Sequence, residues 1–227
     1  MIHKTILPVL ATALLAVAPI HAQNNYNALR DSLAKANDAL SYHPDSIDLR
    51  LRKAAWNMEL EQWQYAKDEY DRVLNQQPQN IAALYYRAYA NTQLHRYNFA
   101  RADYQRLLEV VPGNFEAQLG LALLNQKDKH HTEALDGINR LVTVHPDSAI
   151  AWAARAGIEE ELGMLELAEY DYSKAIGLAP RNAEFLLARA DIRIRLAQFD
   201  KAKQDLDTIV RLGTPRLALK EWYEKCK

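Results

Sequence analysis

Residues 81–114 read IAALYYRAYANTQLHRYNFARADYQRLLEVVPGN, and much of the chain follows the pattern of this stretch. Apolar residues recur three and four positions apart within 81–94 and 98–111, which is the spacing of an amphipathic α-helix. Pro112 follows the second segment, and proline ends a helix because it lacks a backbone N–H and clashes with the preceding turn. The stretch therefore predicts two successive helices.

The pattern has a period of 34 residues. Prolines mark it at Pro44, Pro78, Pro112, Pro146 and Pro180. Two columns of small residues keep the same step: Ala54, Ala88, Ala122, Ala156 and Ala190, and Ala66, Ala100, Ala134, Ala168 and Ala202. A small side chain lets two antiparallel helices cross closely while larger neighbours interdigitate. We expect helical hairpins that stack in line, each covering the apolar face of the next.

The sequence His-Pro-Asp-Ser occurs twice, at 43–46 and 145–148. A histidine, an aspartate and a serine so close together are also the residue types of a hydrolase site. However, a serine or asparagine follows each of the five prolines by two residues: Ser46, Asn80, Asn114, Ser148 and Asn182. Such side chains accept hydrogen bonds from the free amides at a helix start. The two serines are therefore predicted to be helix caps rather than nucleophiles.

Several columns together resemble the tetratricopeptide repeat. In the second copy they are Leu84 early in the first helix, Ala88, Leu94 before the turn, Tyr97 after it, Ala100, Tyr104 and Pro112. The resemblance implies an all-α fold, a right-handed superhelical solenoid of five helix-turn-helix units with helical caps at both ends. The five repeats are expected at 47–80, 81–114, 115–148, 149–182 and 183–216. The caps are expected at 23–46 and 217–227, with Thr214 capping the last helix and Pro215 at its first position.

Residues 1–22 are typical of a secretory signal peptide. A basic start at 1–4 precedes an apolar run at 5–20, and Ala22 offers a small residue at the cut. The alternative is an uncleaved membrane anchor, but the run is shorter than the roughly 20 residues that a bilayer requires. We expect an exported protein, periplasmic or secreted, with no membrane insertion after cleavage. Its single cysteine, Cys226, excludes an internal disulfide.

Composition narrows the class of partner. The chain of 227 residues has 28 Lys and Arg against 29 Asp and Glu, and this balance argues against a nucleic-acid partner.

His130 and His131 are adjacent on a turn and point apart, so no metal site is predicted. No phosphate loop or nucleophile motif is present. The sequence therefore predicts a protein without enzymatic activity and without a cofactor.

Charges of opposite sign occur at two fixed positions, 7 and 23, of four repeats. The pairs are Lys53 and Glu69, Arg87 and Asp103, Arg155 and Asp171, and Arg189 and Asp205. The third copy has Leu121 and Gly137 instead and so loses both partners together. This joint loss predicts an ion pair between the two helices of each unit. Gly120 and Gly137 also lie inside predicted helices, and glycine weakens a helix interior, so we expect a soft point at 120–137.

The resemblance also implies a concave inner face that holds an extended peptide or a partner helix. The residues at the corresponding positions are Leu51, Met58, Tyr85, Tyr89, Gln93, Leu119, Leu123, Gly157, Glu160, Glu161, Asp191 and Arg195. This face is apolar and aromatic in its first half and acidic in its second. Tyr85 and Tyr89 have an alternative role, which is packing against neighbouring helices.

Two functions remain open at this point. The first is a protein-protein interaction scaffold of the cell envelope that binds a peptide or helix in the groove. The second is a structural accessory subunit of an envelope or secretion assembly, held through its terminal helices. An enzyme or glycan-binding module has no supporting site chemistry.

Overall fold

The computed structural model describes residues 19–227, with side chains from residue 26 onward. This part of the chain consists of helices and turns without a strand, which confirms the predicted all-α class. The α-helices are α1 (Pro19–Tyr42), α2 (Ile47–Glu59), α3 (Trp63–Gln76), α4 (Ile81–Gln93), α5 (Tyr97–Val110), α6 (Phe115–Lys127), α7 (His131–Val144), α8 (Ala149–Glu161), α9 (Leu165–Leu178), α10 (Ala183–Arg195), α11 (Phe199–Arg211) and α12 (Lys220–Lys225), and a 3₁₀-helix covers Arg216–Leu219.

Residues 1–18 of the predicted signal peptide lie outside the described residues. Among residues 19–227, no helix combines the length and the apolar character that a membrane crossing needs. Packing divides the described chain into two compact units, an N-terminal unit of residues 19–131 and a C-terminal unit of residues 132–227.

The predicted helix caps are confirmed at all five positions. Each side-chain oxygen accepts from a backbone amide in the first turn of α2, α4, α6, α8 or α10: Ser46, Asn80, Asn114, Ser148 and Asn182. A cap of this kind stabilises a helix by about 0.5–2 kcal/mol. The serine hydroxyls of both His-Pro-Asp-Ser segments are therefore engaged in capping.

A left-handed residue follows each first helix of a pair. The residues with positive φ two positions after α2, α4, α6, α8 and α10 are Glu61, His95, Lys129, Gly163 and Ala197. Only Gly163 adopts this conformation without a side-chain penalty, because the left-handed region costs an L-residue about 1–2 kcal/mol. In four copies a non-glycine residue is held in this conformation by the packing of the two helices. In the fourth repeat Gly163 adopts it by its own preference.

The core of the N-terminal unit is built on the alanine columns. Helix α2 packs on α3, α4 packs on α5, and contacts of α3 with α4 and α5 with α6 continue the series. Ala54, Ala66, Ala88 and Ala100 are fully buried in one cluster with Tyr70. Helix α1 packs against α2, as expected for the N-terminal cap.

The C-terminal unit repeats this arrangement through α8, α9, α10 and α11. Its alanine pairs, Ala156 with Ala168 and Ala190 with Ala202, are fully buried in shared clusters. The chain then ends with buried Leu219, which packs with Trp222 and Tyr223 against the last hairpin. A C-terminal segment therefore covers the final repeat in the way that the sequence predicts.

The predicted capping of this last segment by Thr214 is wrong. Pro215 occupies the N-cap position of the 3₁₀-helix, and no side chain caps it. The amide of Thr214 instead donates to the carbonyl of Ile209, 3.3 Å away, beside Gly213 at φ 112°. Thr214 therefore closes the C-terminus of α11, as the residue after a left-handed glycine commonly does.

All four predicted ion pairs between paired helices are present. The donor–acceptor distances are 2.8 Å for Lys53 to Glu69, 2.9 Å for Arg87 Nε to Asp103, 2.9 Å for Arg155 Nη2 to Asp171 and 3.1 Å for Arg189 Nε to Asp205. The acidic side chains are at most 6% exposed. These are buried pairs, so removal of one partner leaves a charge away from water.

Gly120 has a packing role that the sequence did not reveal. A Cβ added to it would lie 2.6 Å from Cζ of Tyr104, whose side chain is buried. Heavy atoms essentially never approach so closely, so only glycine admits the Tyr104 ring here. The glycine is thus explained by a close approach of α5 to α6, while the predicted soft point at 120–137 stays a prediction.

Candidate functional site

The predicted inner-face residues divide between the two units. Those of the N-terminal unit lie on α2, α4 and α6: Leu51, Met58, Tyr85, Tyr89, Gln93, Leu119 and Leu123. Those of the C-terminal unit lie on α8 and α10: Gly157, Glu160, Glu161, Asp191 and Arg195. Each unit therefore carries its own set of candidate residues.

Three of the N-terminal residues belong partly to the core. Leu51, Met58 and Tyr85 are half-buried and pack against the buried cluster of this unit. The Tyr85 ring meets Tyr104 edge-on at a centroid distance of 5.9 Å. Burial, and then the neighbouring Tyr86, raises the pKa of the Tyr85 hydroxyl. The alternative role of Tyr85 as a packing residue is thus present alongside a partly exposed surface.

The exposed aromatic surface of α4 is formed by Tyr86 and Tyr89, at 46% and 41% exposure. Tyr86 stacks on buried Tyr70 with ring centroids 6.1 Å apart, and it meets Tyr85 edge-on at 5.2 Å. Tyr89 contacts the edge of Trp63 at 5.9 Å. Both rings are therefore held in place by other aromatic rings while they keep one side free.

Tyr86 was missed by sequence reasoning. Tyr86 occupies position 6 of its repeat. The other copies carry Arg52, Gly120, Ala154 and Ala188 at this position. Because the residue type varies so widely between copies, the repeat pattern predicts no role for this position. The YY dipeptide itself was the available signal, since two adjacent tyrosines on a helix cannot both point into the core.

Helix α6 contacts α4 and carries two leucines that are at least partly exposed. Leu123 is 37% exposed and Leu119 is half-buried. We call Tyr86, Tyr89, Leu119 and Leu123 the Tyr–Leu face. None of its four side chains carries a charge, so it can bury apolar area without desolvating an ion.

The C-terminal set is less acidic than its sequence suggests. Glu160 is only 7% exposed, and its carboxylate accepts from Arg195 Nη1 at 2.6 Å. Burial raises the pKa of Glu160, although the Arg195 guanidinium opposes this and Asp191 reinforces it. Glu160 and Arg195 therefore neutralise each other, which leaves Glu161 as the exposed acidic residue of α8.

Gly157 and the histidines complete the predicted candidates. A Cβ added at Gly157 would meet the Tyr172 hydroxyl at 3.8 Å, an ordinary contact, so an alanine would fit there. Residues 26–227 contain no group of three or more His, Cys, Asp or Glu side chains that could hold a metal ion. The arrangement offers surfaces for contact, with its polar side chains largely engaged in caps and ion pairs.

Comparison with known proteins identifies the architecture. The tetratricopeptide repeat family model matches residues 116–148. A tetratricopeptide repeat protein from Parabacteroides merdae ATCC 43184 is 25% identical with a TM-score of 0.74, over 90% of this chain and 80% of that one. PilW, a type IV pilus biogenesis factor, is 17% identical with a TM-score of 0.72, over 98% of both chains.

YrrB, described as a tetratricopeptide repeat protein with an unusual peptide-binding site, is more distant. It is 15% identical with a TM-score of 0.55, over 83% of this chain and 97% of that one. A search of curated protein sequences found no match. The likenesses to PilW and YrrB concern the fold, whereas the repeat match and the 25% identity bear on the family.

Proposed function

We propose that the chain, whose residues 116–148 match the tetratricopeptide repeat family and which is 25% identical to a tetratricopeptide repeat protein of known structure, is a non-enzymatic scaffold that binds a peptide or helix of another protein. The Tyr–Leu face of the N-terminal unit is the proposed contact surface. The observation that supports this is the exposure of Tyr86 and Tyr89 on α4 and of Leu123 on α6, a helix that contacts α4.

The fixed side-chain conformations of Tyr86 and Tyr89 favour binding. Tyr86 is stacked on Tyr70, and Tyr89 is held at the edge of Trp63. A side chain that is already fixed loses little conformational entropy when a partner covers it. Aromatic residues in such positions commonly dominate binding energy. The partner segment should therefore offer apolar side chains as anchors for this face.

Similar proteins support a role in protein contacts without specifying the partner. YrrB is described as having a peptide-binding site, and PilW as a pilus biogenesis factor. Tetratricopeptide repeat proteins in general bind proteins or peptides. The partner of this chain, its location in the cell envelope and the absence of catalysis are parts of our proposal.

The experiment uses the full chain as bait for a phage-displayed peptide library, followed by fluorescence polarisation with a selected peptide. Replacing Tyr86 and Tyr89 together by alanine should weaken binding by at least about tenfold, as expected when hot-spot residues are removed. Tyr65→Ala is the matched control, because Tyr65 is 65% exposed but lies on α3. Equal affinities of wild type and the double variant would refute the proposal.

The alternative function, a structural subunit held through its ends, is favoured by two exposed terminal side chains. Leu217 is 81% exposed in the 3₁₀-helix, and Tyr42 is 76% exposed at the end of α1. If the ends hold the protein in an assembly, Leu217→Ser with Tyr42→Ser should release it from isolated envelopes. The Tyr86 and Tyr89 variant should then remain bound, which separates the two functions.

Export is also a proposal, based on the composition of residues 1–22. N-terminal sequencing of the protein from cell fractions tests it directly. A mature chain that starts at Gln23 in the periplasm or medium is expected. Retention of the uncleaved chain in the membrane would favour the anchor alternative.

A further inference from the structure

Position 11 of each repeat holds a polar side chain with little exposure. The residues are Asn57, Asn91, Asn125, Glu159 and Arg193. The first four are 2–8% exposed, and the Arg193 side chain is 12% exposed. Three copies thus place a neutral carboxamide at this site, whereas the fourth places a carboxyl group there.

The carboxyl group of Glu159 lacks an adequate counter-charge. Arg155, one turn earlier on α8, donates to Asp171 through both Nε and Nη2. Its Nε lies 3.8 Å from Glu159 Oε1, beyond hydrogen-bond distance. The other oxygen, Oε2, is buried and has no hydrogen-bond partner. One guanidinium therefore faces two carboxyl groups, and Asp171 takes both of its directed hydrogen bonds.

The repeat register explains why Glu159 is left without a partner. In two other copies, position 11 bonds the residue 24 places earlier: Asn125 accepts from Arg101 at 3.3 Å, and Arg193 donates to Glu169 at 2.6 Å. The residue 24 places before Glu159 is Leu135 on α7. An aliphatic side chain can neither donate a proton nor neutralise a carboxylate.

The groups around Glu159 come from three helices. Its own helix α8 contributes Arg155, and α9 contributes Asp171 together with Tyr170, which lies close enough to affect Arg155. Helix α7 contributes the neutral amide of Asn139, which accepts from Arg155 at 3.1 Å. Next along α9, Glu169 is paired with Arg193 of α10, so neither compensates Glu159.

A proton on Glu159 would remove the cost of burying its carboxyl group without a cation. A protonated carboxyl group carries no net charge, so Glu159 can stay buried near Asp171 without a cation of its own. Burial raises the pKa of Glu159 to about 7, and the negative charge of Asp171 reinforces the shift, which Arg155 partly opposes.

We propose that Glu159 keeps its proton in the folded protein, because Arg155 is committed to Asp171 and the buried Oε2 has no partner, and that loss of this proton loosens the packing of α8 on α9. The C-terminal unit would then respond to pH in the range between mildly acidic and neutral conditions. This device does not depend on the proposed function of the Tyr–Leu face, which lies in the other unit.

The sign of the effect follows from proton linkage. In the unfolded chain Glu159 loses its proton near its ordinary pKa of 4.5, whereas the folded protein retains it until about pH 7. The stabilising proton is fully present below pH 4.5 and is lost as the pH rises through 7. Over that range the unfolding equilibrium constant should increase by up to about tenfold per pH unit from this site.

The direct test is a carbon-13 NMR titration of the Glu159 carboxyl in the full chain, assigned by comparison with Glu159→Gln. A midpoint near pH 7 is expected. A midpoint near 4.5 in wild type would overturn the proposal, and this measurement needs no destabilised variant.

Two variants test the physical cause. Glu159→Asn restores the residue of the first three copies and should remove the pH dependence of amide hydrogen exchange in α8 and α9, after correction for intrinsic rates. Leu135→Arg supplies the missing cation, as Arg101 does in the second copy, and should lower the midpoint by at least one pH unit. Unchanged pH dependence in Glu159→Asn would show that another group controls these helices and would refute the switch.

Discussion

The ion pair of Arg87 with Asp103 gives a quantitative test of how the repeats are held together. Asp103 is buried, whereas the Arg87 side chain is 23% exposed and also bonds Asp71 at 2.8 Å. Arg87→Ala leaves a buried carboxylate without its cation, which should cost about 3 kcal/mol of unfolding free energy. Asp103→Ala leaves Arg87 with Asp71 and water, so it should cost less, about 2 kcal/mol.

The double variant measures the coupling. If the two side chains interact, the combined loss should be about 3.5 kcal/mol rather than the sum of the single losses, a coupling of about 1.5 kcal/mol. Arg52→Ala is a control, because Arg52 and Asp48 form an exposed pair at 63% and 69% exposure. That pair should contribute less than about 0.5 kcal/mol.

Urea unfolding of the full chain, followed by tryptophan fluorescence, provides the free energies. Trp56 and Trp63 report on the N-terminal unit if Trp152 and Trp222 are replaced by phenylalanine throughout the series. Additive losses in this cycle, with a coupling indistinguishable from zero, would show that the pair is two independent charges. The interpretation of positions 7 and 23 would then fail for all four copies.

Substitutions at three glycines use the same assay, with the tryptophans that report on each unit. Gly120→Ala should lower the unfolding free energy by about 1–3 kcal/mol, because the added methyl group overpacks against Tyr104. Tyr104→Leu should relieve much of that loss in the double variant. An unchanged stability of Gly120→Ala would contradict the close approach. Gly163→Ala should cost about 1 kcal/mol, because φ is +78° and a Cβ there meets no atom within 4 Å, so only backbone strain is tested. Gly177→Ala, in the last turn of α9 where an added Cβ meets no atom within 4 Å, should instead stabilise by up to about 0.5 kcal/mol, and equal signs at the two sites would contradict the conformational argument.

The features that the sequence predicts correctly depend on register. Ser46 and Asn80 cap helices because a short polar side chain two residues after proline can reach the first free amides. The pairing of Arg87 with Asp103 was predictable because residues at fixed positions in successive copies occupy equivalent places. Five copies in one chain therefore supply an internal comparison that a single domain does not offer.

The features that the sequence did not predict depend on the identity of a neighbour at one position. Gly120 suggests flexibility until the Tyr104 ring is seen against it. Glu160 suggests an acidic surface until Arg195, 35 residues later, is found to neutralise it. Thr214 matches the capping rule, but Gly213 turns the chain so that its amide serves the preceding helix instead. Such contacts cannot be derived from periodicity, which fixes positions but not side-chain partners.

Position 11 shows how a repeat accommodates a change of charge. A buried asparagine can be replaced by a charged residue without an unpaired charge only if the residue 24 places earlier changes with it. Arg193 meets this condition because Glu169 stands at that place, and their atoms lie 2.6 Å apart. Glu159 does not meet it, since Leu135 stands there, and its remaining option is to keep a proton. The same backbone site therefore holds a neutral amide, a compensated cation and a protonatable acid. The residue 24 places earlier, on the second helix of the preceding copy, decides which of these three groups can be buried at position 11.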